Sequence, residues 1–226
     1  MYFCQKNLTR LRNNQVTFFL DPKELAEVCS KLKKTDYAIY YPYKDSEKNI
    51  LYNSKLPEIL LYEIKTKVPV RHQDILGSVY SIGMTHEMFG DILIINGHYY
   101  IYILKLARNY FESNFLTIGN NPIELMNIDI DTLKDYERNY ETLELIVSSN
   151  RIDTIVASIC RIGRSNIIDM LKRKEIMLNY DFLKDSAYKL KENDIFSIKK
   201  IGKFKYIGII KITKSNNYII RILKYI

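Results

Sequence analysis

RIDTIVASICRIGRSNIIDMLKRKEIMLN, residues 151–179, is the stretch on which the fold class turns. Ile152, Ile155, Val156 and Ile159 recur at helical spacing and predict one apolar helix face. Gly163 breaks that pattern. Ser165 is placed to cap a second helix that carries Ile167, Ile168 and Leu171 inward. Lys172-Arg173-Lys174 closes this helix with the charge that a helix C-terminus favours. Ile176-Met177-Leu178 then reads as a short strand. Downstream, residues 190–194 form a tight polar turn into a strand over 195–198. The end of the chain alternates over 206–211 and 218–223, with Ser215-Asn216-Asn217 as the turn between. A helical pair followed by a run of strands predicts an α+β fold.

Upstream, Asp21-Pro22-Lys23-Glu24 has the makings of a helix start. Asp21 caps, Pro22 takes the first helical position, and Glu24 lies three residues beyond the cap. Leu25, Val28, Cys29 and Leu32 continue it at helical spacing. Strands are expected over 37–41 and 59–64. Ile75, Leu76, Val79 and Ile82 form a helix face that Gly83 can stop in a left-handed turn, and Thr85 is placed to cap a short turn after it. Asn96-Gly97 between apolar runs at 92–95 and 99–103 predicts a hairpin. Leu104, Ala107, Arg108 and Phe111 predict another helix, and strands follow near 123–126 and 143–147. The acidic stretch 129–140 reads as a surface connection. These patterns suggest three regions: a small α/β domain over 1–70, an α+β domain over 71–147, and a third domain over 150–226.

The third region differs in charge. From Asn150 onward there are seventeen Lys or Arg and seven Asp or Glu, whereas the preceding residues hold seventeen and nineteen. A positive field concentrated in this way attracts a polyanion, nucleic acid first and an anionic membrane surface second. The competing reading is a solubilising lysine-rich surface. Cys4, Cys29 and Cys160 are few and far apart, so they suit neither a disulfide framework nor a zinc site. The first residues carry no signal-peptide pattern, and no apolar run approaches the length of a membrane span. Cytoplasmic residence is the expectation. Gly83, Gly90 and Gly97 have the spacing of turn residues and do not form a phosphate-cradling loop. Arg71-His72-Gln73-Asp74 offers one His and one carboxylate. This suits a helix start better than a catalytic or metal centre, with RNA contact by Arg71 and His72 as a further reading. No cofactor or metal is called for.

The quoted stretch, continued by YKLKENDIFSI at 188–198, resembles an S4 RNA-binding domain. Arg151-Ile152-Asp153 opens the first helix and Arg164-Ser165 steps into the second. Residues 176–179 match the short strand, and 190–194 match the turn after it. Lys174 and Asn193 stand where the family favours glycine, and Ile167 stands where it favours a small residue. The resemblance extends outward. Residues 17–22, 71–77, Ile82-Gly83, 89–92 and 201–205 resemble landmarks of the bacterial YlmH-like proteins. It implies an N-terminal domain, a middle domain and a C-terminal S4 domain of two helices packed on a small sheet. It also implies non-catalytic binding of structured RNA, rRNA or tRNA, on a large ribosomal subunit carrying peptidyl-tRNA, in the rescue of stalled translation. Two alternatives stay open: a protein-interaction factor linked to cell division, and an accessory RNA-modification enzyme. A methyltransferase would need a Gly-rich cofactor loop, which is absent, and a pseudouridine synthase would need a larger catalytic domain.

On this reading the RNA-binding residues are Arg151, Arg164, Lys172, Arg173 and Lys174 on the helical pair. Lys199, Lys200, Lys203 and Lys205 extend the phosphate track beyond the helices. Long cationic side chains suit phosphate, and Arg can grip it through two parallel hydrogen bonds. Each has the alternative of a solvated charged face, and Arg151 has that of pairing with Asp153. Phe204 and Tyr206 have the choice of stacking on a base or filling the core, and the apolar surroundings favour the core.

Overall fold

The computed structural model describes residues 2–226, apart from the side chain of Arg164. Its first helix, α1 (Tyr2–Arg12), buries Cys4, Leu8 and Leu11, which share one helix face. Asn7 is also buried; its carbonyl oxygen accepts the Phe18 N–H at 3.0 Å and its amide donates to the Phe3 carbonyl. At α2 (Pro22–Cys29) the capping box forms as its residues imply. Asp21 Oδ1 accepts from Glu24 N at 2.8 Å, and Asp21 N donates to Glu24 Oε2 at 3.0 Å. The helix ends at Cys29, so Leu32 packs from the turn beyond it. β1 (Ala38–Tyr40) and β2 (Ile50–Tyr52) form a two-stranded antiparallel sheet.

β3 (Ile59–Thr66), α3 (His72–Ser81), β4 (Phe89–Ile95), β5 (His98–Leu104), α4 (Arg108–Asn114), β6 (Thr117–Ile118) and β7 (Asn121–Ile128) follow. Their five strands make an antiparallel sheet in the order β4-β5-β3-β7-β6. Alternation along each strand feeds two cores. Tyr62, Ile64, Ile101 and Ile103 meet Ile75, Val79 and Phe111 of the helices, whereas Leu61 and Tyr102 meet Phe18, Phe19 and Tyr43 on the opposite face. Asn96 and Gly97 have φ of 51° and 83° between the paired residues Ile95 and His98, a two-residue hairpin of the expected kind. Gly83, at φ 83°, ends α3 as expected, and the residues after it make a turn with no further helix. At Gly90 a Cβ would lie 2.8 Å from the Phe19 ring and 2.9 Å from Tyr102 Cβ, so glycine is what lets the strand approach both aromatics.

Two compact units divide the chain, Met1–Glu137 and Arg138–Ile226. The strand expected within residues 1–70, β3, hydrogen-bonds on both sides to strands from 71–147, so these stretches share one sheet. The connection at 129–140 is largely exposed, but Leu133 within it reaches the core under the β5 side of the sheet.

Unit 2 contains β8 (Tyr140–Val147), α5 (Ile152–Cys160), α6 (Arg164–Lys172), β9 (Ile176–Leu178), β10 (Asp181–Phe182), β11 (Ile195–Ile198), β12 (Gly202–Ile212) and β13 (Tyr218–Tyr225). An antiparallel six-stranded sheet runs β10-β9-β11-β12-β13-β8. One face packs on the helical pair. Ile152, Ile155, Val156 and Ile167 meet Ile176, Phe196, Phe204, Tyr206 and Ile222 there, each burial stabilising by roughly 1.5–3 kcal/mol. Arg161, at φ 55°, closes α5 in the left-handed region. The N-cap of α6 is Gly163, not Ser165, and no side chain caps it. Lys174 and Asn193 have φ of 54° and 70°, the left-handed positions at which the resemblance anticipated glycine. A lysine there costs about 1 kcal/mol relative to glycine.

Candidate nucleic-acid interface

Arg151 precedes the first residue of α5. Its Nε donates to Asp153 Oδ1 at 3.1 Å and its Nη2 to Oδ2 at 2.5 Å. Asp153 is buried and also accepts from Thr154 Oγ1. Burial pushes its carboxyl up, but the hydrogen bonds from Arg151 and Thr154 outweigh that and hold it below the usual range. The pairing alternative for Arg151 is therefore realised. The Arg151 side chain is nonetheless 39% exposed, so it is not shut away from solvent.

A denser cluster lies at the other terminus of the helical pair. Lys172 ends α6 with its Nζ 3.6 Å from Asp169. Arg173 caps that helix and donates through Nε and Nη2 to the two oxygens of Glu175, each at 3.0 Å. Lys174 places its Nζ 5.4 Å from the centre of the Phe182 ring. Lys199 N donates to the Glu175 carbonyl at 2.8 Å, which brings the turn between β11 and β12 beside it. Lys200, at φ 68°, sits in that turn. The hydrogen bonds from Arg173 hold Glu175 below the usual carboxylate range, with Lys199 and Lys200 adding to the effect. One carboxylate thus organises Arg173, Lys199 and Lys200, and Lys172 and Lys174 flank it in sequence. An exposed ion pair of this kind is worth little in water. Arg173 can exchange Glu175 for a phosphate with the same two-pronged geometry at small cost. Arg164 begins α6, and its side chain lies outside the described residues.

Lys203 and Lys205 lie elsewhere. β12 alternates, and Phe204 and Tyr206 face the helices at 1% and 2% exposure. Both aromatics are core residues, with Phe204 stacked on Phe196 at 5.2 Å, so neither is open to a base. Lys203 and Lys205 consequently face the side of the sheet away from the helices, where a track continuing directly from α6 does not run. The alternation makes this readable in sequence once Phe204 is assigned to the core. Lys203 there meets Tyr180 and Tyr225, two residues that sequence reading did not single out.

In unit 1, Arg71 and Asp74 are joined at 2.9 and 2.8 Å across the first turn of α3, and Asp74 also accepts from Arg71 N. These bonds bring the Asp74 carboxyl down to about 2. They support the helix-start reading of this motif. His86 pairs with Glu24 at 3.0 Å and His98 with Glu63 at 2.7 Å. Among the described residues no three His, Cys, Asp or Glu side chains group to hold a metal ion. An open groove of about 620 Å³ runs between α3 and the β6–β7 turn, lined by Gln73, Gly77, Ser78, Ser81, Gly119 and Asn121 among others. No cationic side chain lines it. No helix among the described residues is long and apolar enough to cross a membrane.

The family model described as "Putative RNA-binding domain in YlmH" matches residues 52–132. That span takes in the five-stranded sheet with α3 and α4, entirely inside unit 1. It holds six Lys or Arg and nine Asp or Glu, so net charge gave no sign of it. A curated relative, "Ribosome-associated protein quality control protein P2" of Bacillus subtilis (strain 168), is 24% identical over 202 residues, covering 84% of this chain and 79% of the relative. A solved structure, "Cell division protein ylmH from Streptococcus pneumoniae", is 23% identical with a TM-score of 0.48, covering 59% of this chain and 93% of that one.

Proposed function

Starting from the chain's homology, at family level, to the YlmH-like RNA-binding proteins, we propose that it is a non-catalytic RNA-binding factor of ribosome-associated quality control. Its target is structured RNA, rRNA and tRNA, on a large ribosomal subunit that still carries peptidyl-tRNA, and its place is the cytoplasm. Unit 2 acts as the S4-type module, with Arg151, Arg164, Lys172, Arg173, Lys174, Lys199 and Lys200 on phosphates. Lys203 and Lys205 contribute from the other face of the sheet. The sheet over 52–132 supplies a second RNA contact of a less cationic kind, made by shape and polar groups.

The observation that carries this reading is the cluster around Glu175. Arg173, Lys199 and Lys200 gather about one carboxylate, with Lys172 and Lys174 adjoining in sequence, on a unit in which basic residues outnumber acidic ones eighteen to nine. A fold has no stability reason to concentrate like charge, and repulsion opposes it. A phosphate backbone removes that opposition by neutralising the cluster and releasing counterions. Gel-shift titration of the chain against a structured RNA hairpin tests it. Binding is expected to weaken steeply as monovalent salt rises, and to be nearly independent of duplex sequence because phosphate contacts carry no base information. An affinity indifferent to salt would remove this reading and favour a protein-interaction role.

A further inference from the structure

The face of the unit 2 sheet away from α5 and α6 carries an aromatic and cationic cluster that the phosphate cluster at Glu175 does not use. Strand register lays Met177, Ser197 and Lys203 side by side across β9, β11 and β12, and Tyr225 beside Tyr140 across β13 and β8. The Lys203 ammonium lies 5.1 Å from the centre of the Tyr225 ring and 4.7 Å from that of Tyr180, and donates to Tyr180 Oη at 3.2 Å. Arg138 approaches the Tyr225 ring at 5.8 Å, and Tyr140 meets it edge-on at 5.1 Å. One register step along, Lys205 stands opposite Ile195 on one side and Leu223 on the other.

Tyr180 is held there against its backbone preference. Asn179 and Tyr180 make the two-residue connection between Leu178 and Asp181, with φ of 47° and 66°. The second position of such a turn favours glycine, and a bulky aromatic with positive φ is an outlier. The neighbouring Asn179 is explained structurally: its side chain donates to Asp194 and accepts from Ile195 N. At Tyr180 the side chain meets Lys203, which donates to its hydroxyl and lies over its ring. A strained residue that persists in this way points to a use for its side chain.

We propose that this outer face binds single-stranded RNA. A nucleobase stacks on Tyr225 and Tyr180, and Lys203 and Lys205 hold the adjoining phosphates. The flexible Lys203 side chain places its ammonium over both rings. An entering base therefore displaces an ammonium that remains within reach of the phosphate attached to that base. A duplex hides its base faces, so the ligand here is an unpaired segment, in contrast to the hairpin expected at the Glu175 cluster. The proposal rests on the reading that this chain handles RNA, but assigns it a second face and a second class of RNA.

The test uses the full chain, with fluorescence anisotropy on labelled decauridylate and, separately, on an RNA hairpin. Tyr180→Asn and Tyr225→Leu are the variants; asparagine relieves the left-handed strain at 180, so the fold is expected to hold or gain melting temperature. Each variant is expected to bind decauridylate at least about fivefold more weakly while hairpin binding stays within about twofold. A 2-aminopurine in the single strand should lose emission on binding the parent chain and keep it with Tyr225→Leu, a stacking signal that general charge attraction does not give. A parent chain that ignores decauridylate, or two variants that bind it as the parent does, overturns the proposal, as does an equal loss on both RNAs. Decauridylate binding without hairpin binding would leave it standing and remove the duplex role of the Glu175 cluster.

Discussion

Unit 1 holds sixteen Lys or Arg against seventeen Asp or Glu, and unit 2 holds eighteen against nine. The disposition differs as much as the totals. In the matched span of unit 1, Lys55 and Lys105 share Glu58, Lys65 pairs with Glu63, Arg71 with Asp74, and Arg108 with Glu112. In unit 2, Arg173, Lys199 and Lys200 gather at Glu175, and the Lys203 ammonium lies over the rings of Tyr180 and Tyr225. These cations of unit 1 are matched by carboxylates at its surface. In unit 2 cations exceed carboxylates, which leaves a net positive charge for the proposed RNA contact. RNA affinity and fold stability should therefore separate by unit.

The largest expected effect breaks the assembly of unit 1. Asp91 accepts from Tyr43 Oη at 2.6 Å, Glu47 N at 2.8 Å and Lys48 N at 3.3 Å, so one carboxylate fixes the segment between β1 and β2. Asp91→Ala should cost unit 1 roughly 3 kcal/mol, since hydrogen bonds to a charged group contribute about 1.5–3 kcal/mol each and do not add fully. Hydrogen exchange should show the loss in β3, β4 and β5, with protection of β11 and β12 retained. Equal loss in both sheets would show that the units are not independent.

Next in size is removal of the cluster. Replacing Arg173, Lys174, Lys199 and Lys200 by Gln should weaken hairpin RNA binding about a hundredfold and lower the salt slope by about 3 to 4. Circular dichroism should stay that of the parent, because these side chains are exposed and their only strong pairing is with Glu175. Lys174→Gly sharpens the point at a single residue. It relieves the left-handed position and should stabilise unit 2 by about 1 kcal/mol in urea titration, while RNA binding falls modestly. Loss of stability instead would mean that the contact of Lys174 with Phe182 matters more than backbone strain.

The smallest effect is a pH response confined to unit 1. Lys48 donates to the carbonyls of His86 and Phe89 and lies over the Phe89 ring, and burial lowers its pKa to about 8 from 10.5. Below pH 8 the lysine is charged in both folded and unfolded chains, and the fold bears the desolvation penalty. Between about 8 and 10.5 the folded chain sheds the proton first, so the stability of unit 1 should rise with pH relative to Lys48→Met. Lys48 is only partly buried and one of its hydrogen bonds is at the surface, so the gain is expected to be on the order of 1 kcal/mol. A difference that falls over this window would have the wrong sign for this cause.

The sequence is most legible where local chemistry decides structure. Asp21 to Glu24, Asn96-Gly97 and Gly83 each specify their own backbone, and each is seen as read, whereas the alternation expected over 206–211 is broken by register shifts between Tyr206 and Gly208 and between Ile209 and Lys211. α1 was missed because Tyr2, Phe3 and the interspersed Lys and Arg dilute its apolar stripe. β2 was missed because three residues are too few to show a period. The shift in charge marks a separate last region, but its start near residue 138 is hidden because β8 reads as one more strand until β13 is seen to pair with it. The site was legible in charge but not in direction. The direction of Lys203 away from α6 follows only once Phe204 is assigned to the core, and nothing in the net charge of 52–132 announces an RNA-binding family.

The central claim is that this chain works on a large ribosomal subunit carrying peptidyl-tRNA, gripping RNA chiefly through the Glu175 cluster. Sucrose-gradient sedimentation of tagged full-length protein from cells tests it most directly, with and without prior hydrolysis of peptidyl-tRNA, and beside the variant with Arg173, Lys174, Lys199 and Lys200 replaced by Gln. The parent chain should migrate with the large subunit, shift toward the top of the gradient after hydrolysis, and be largely released by the four substitutions. A parent chain that remains at the top in every condition while large subunits are plentiful would contradict the account.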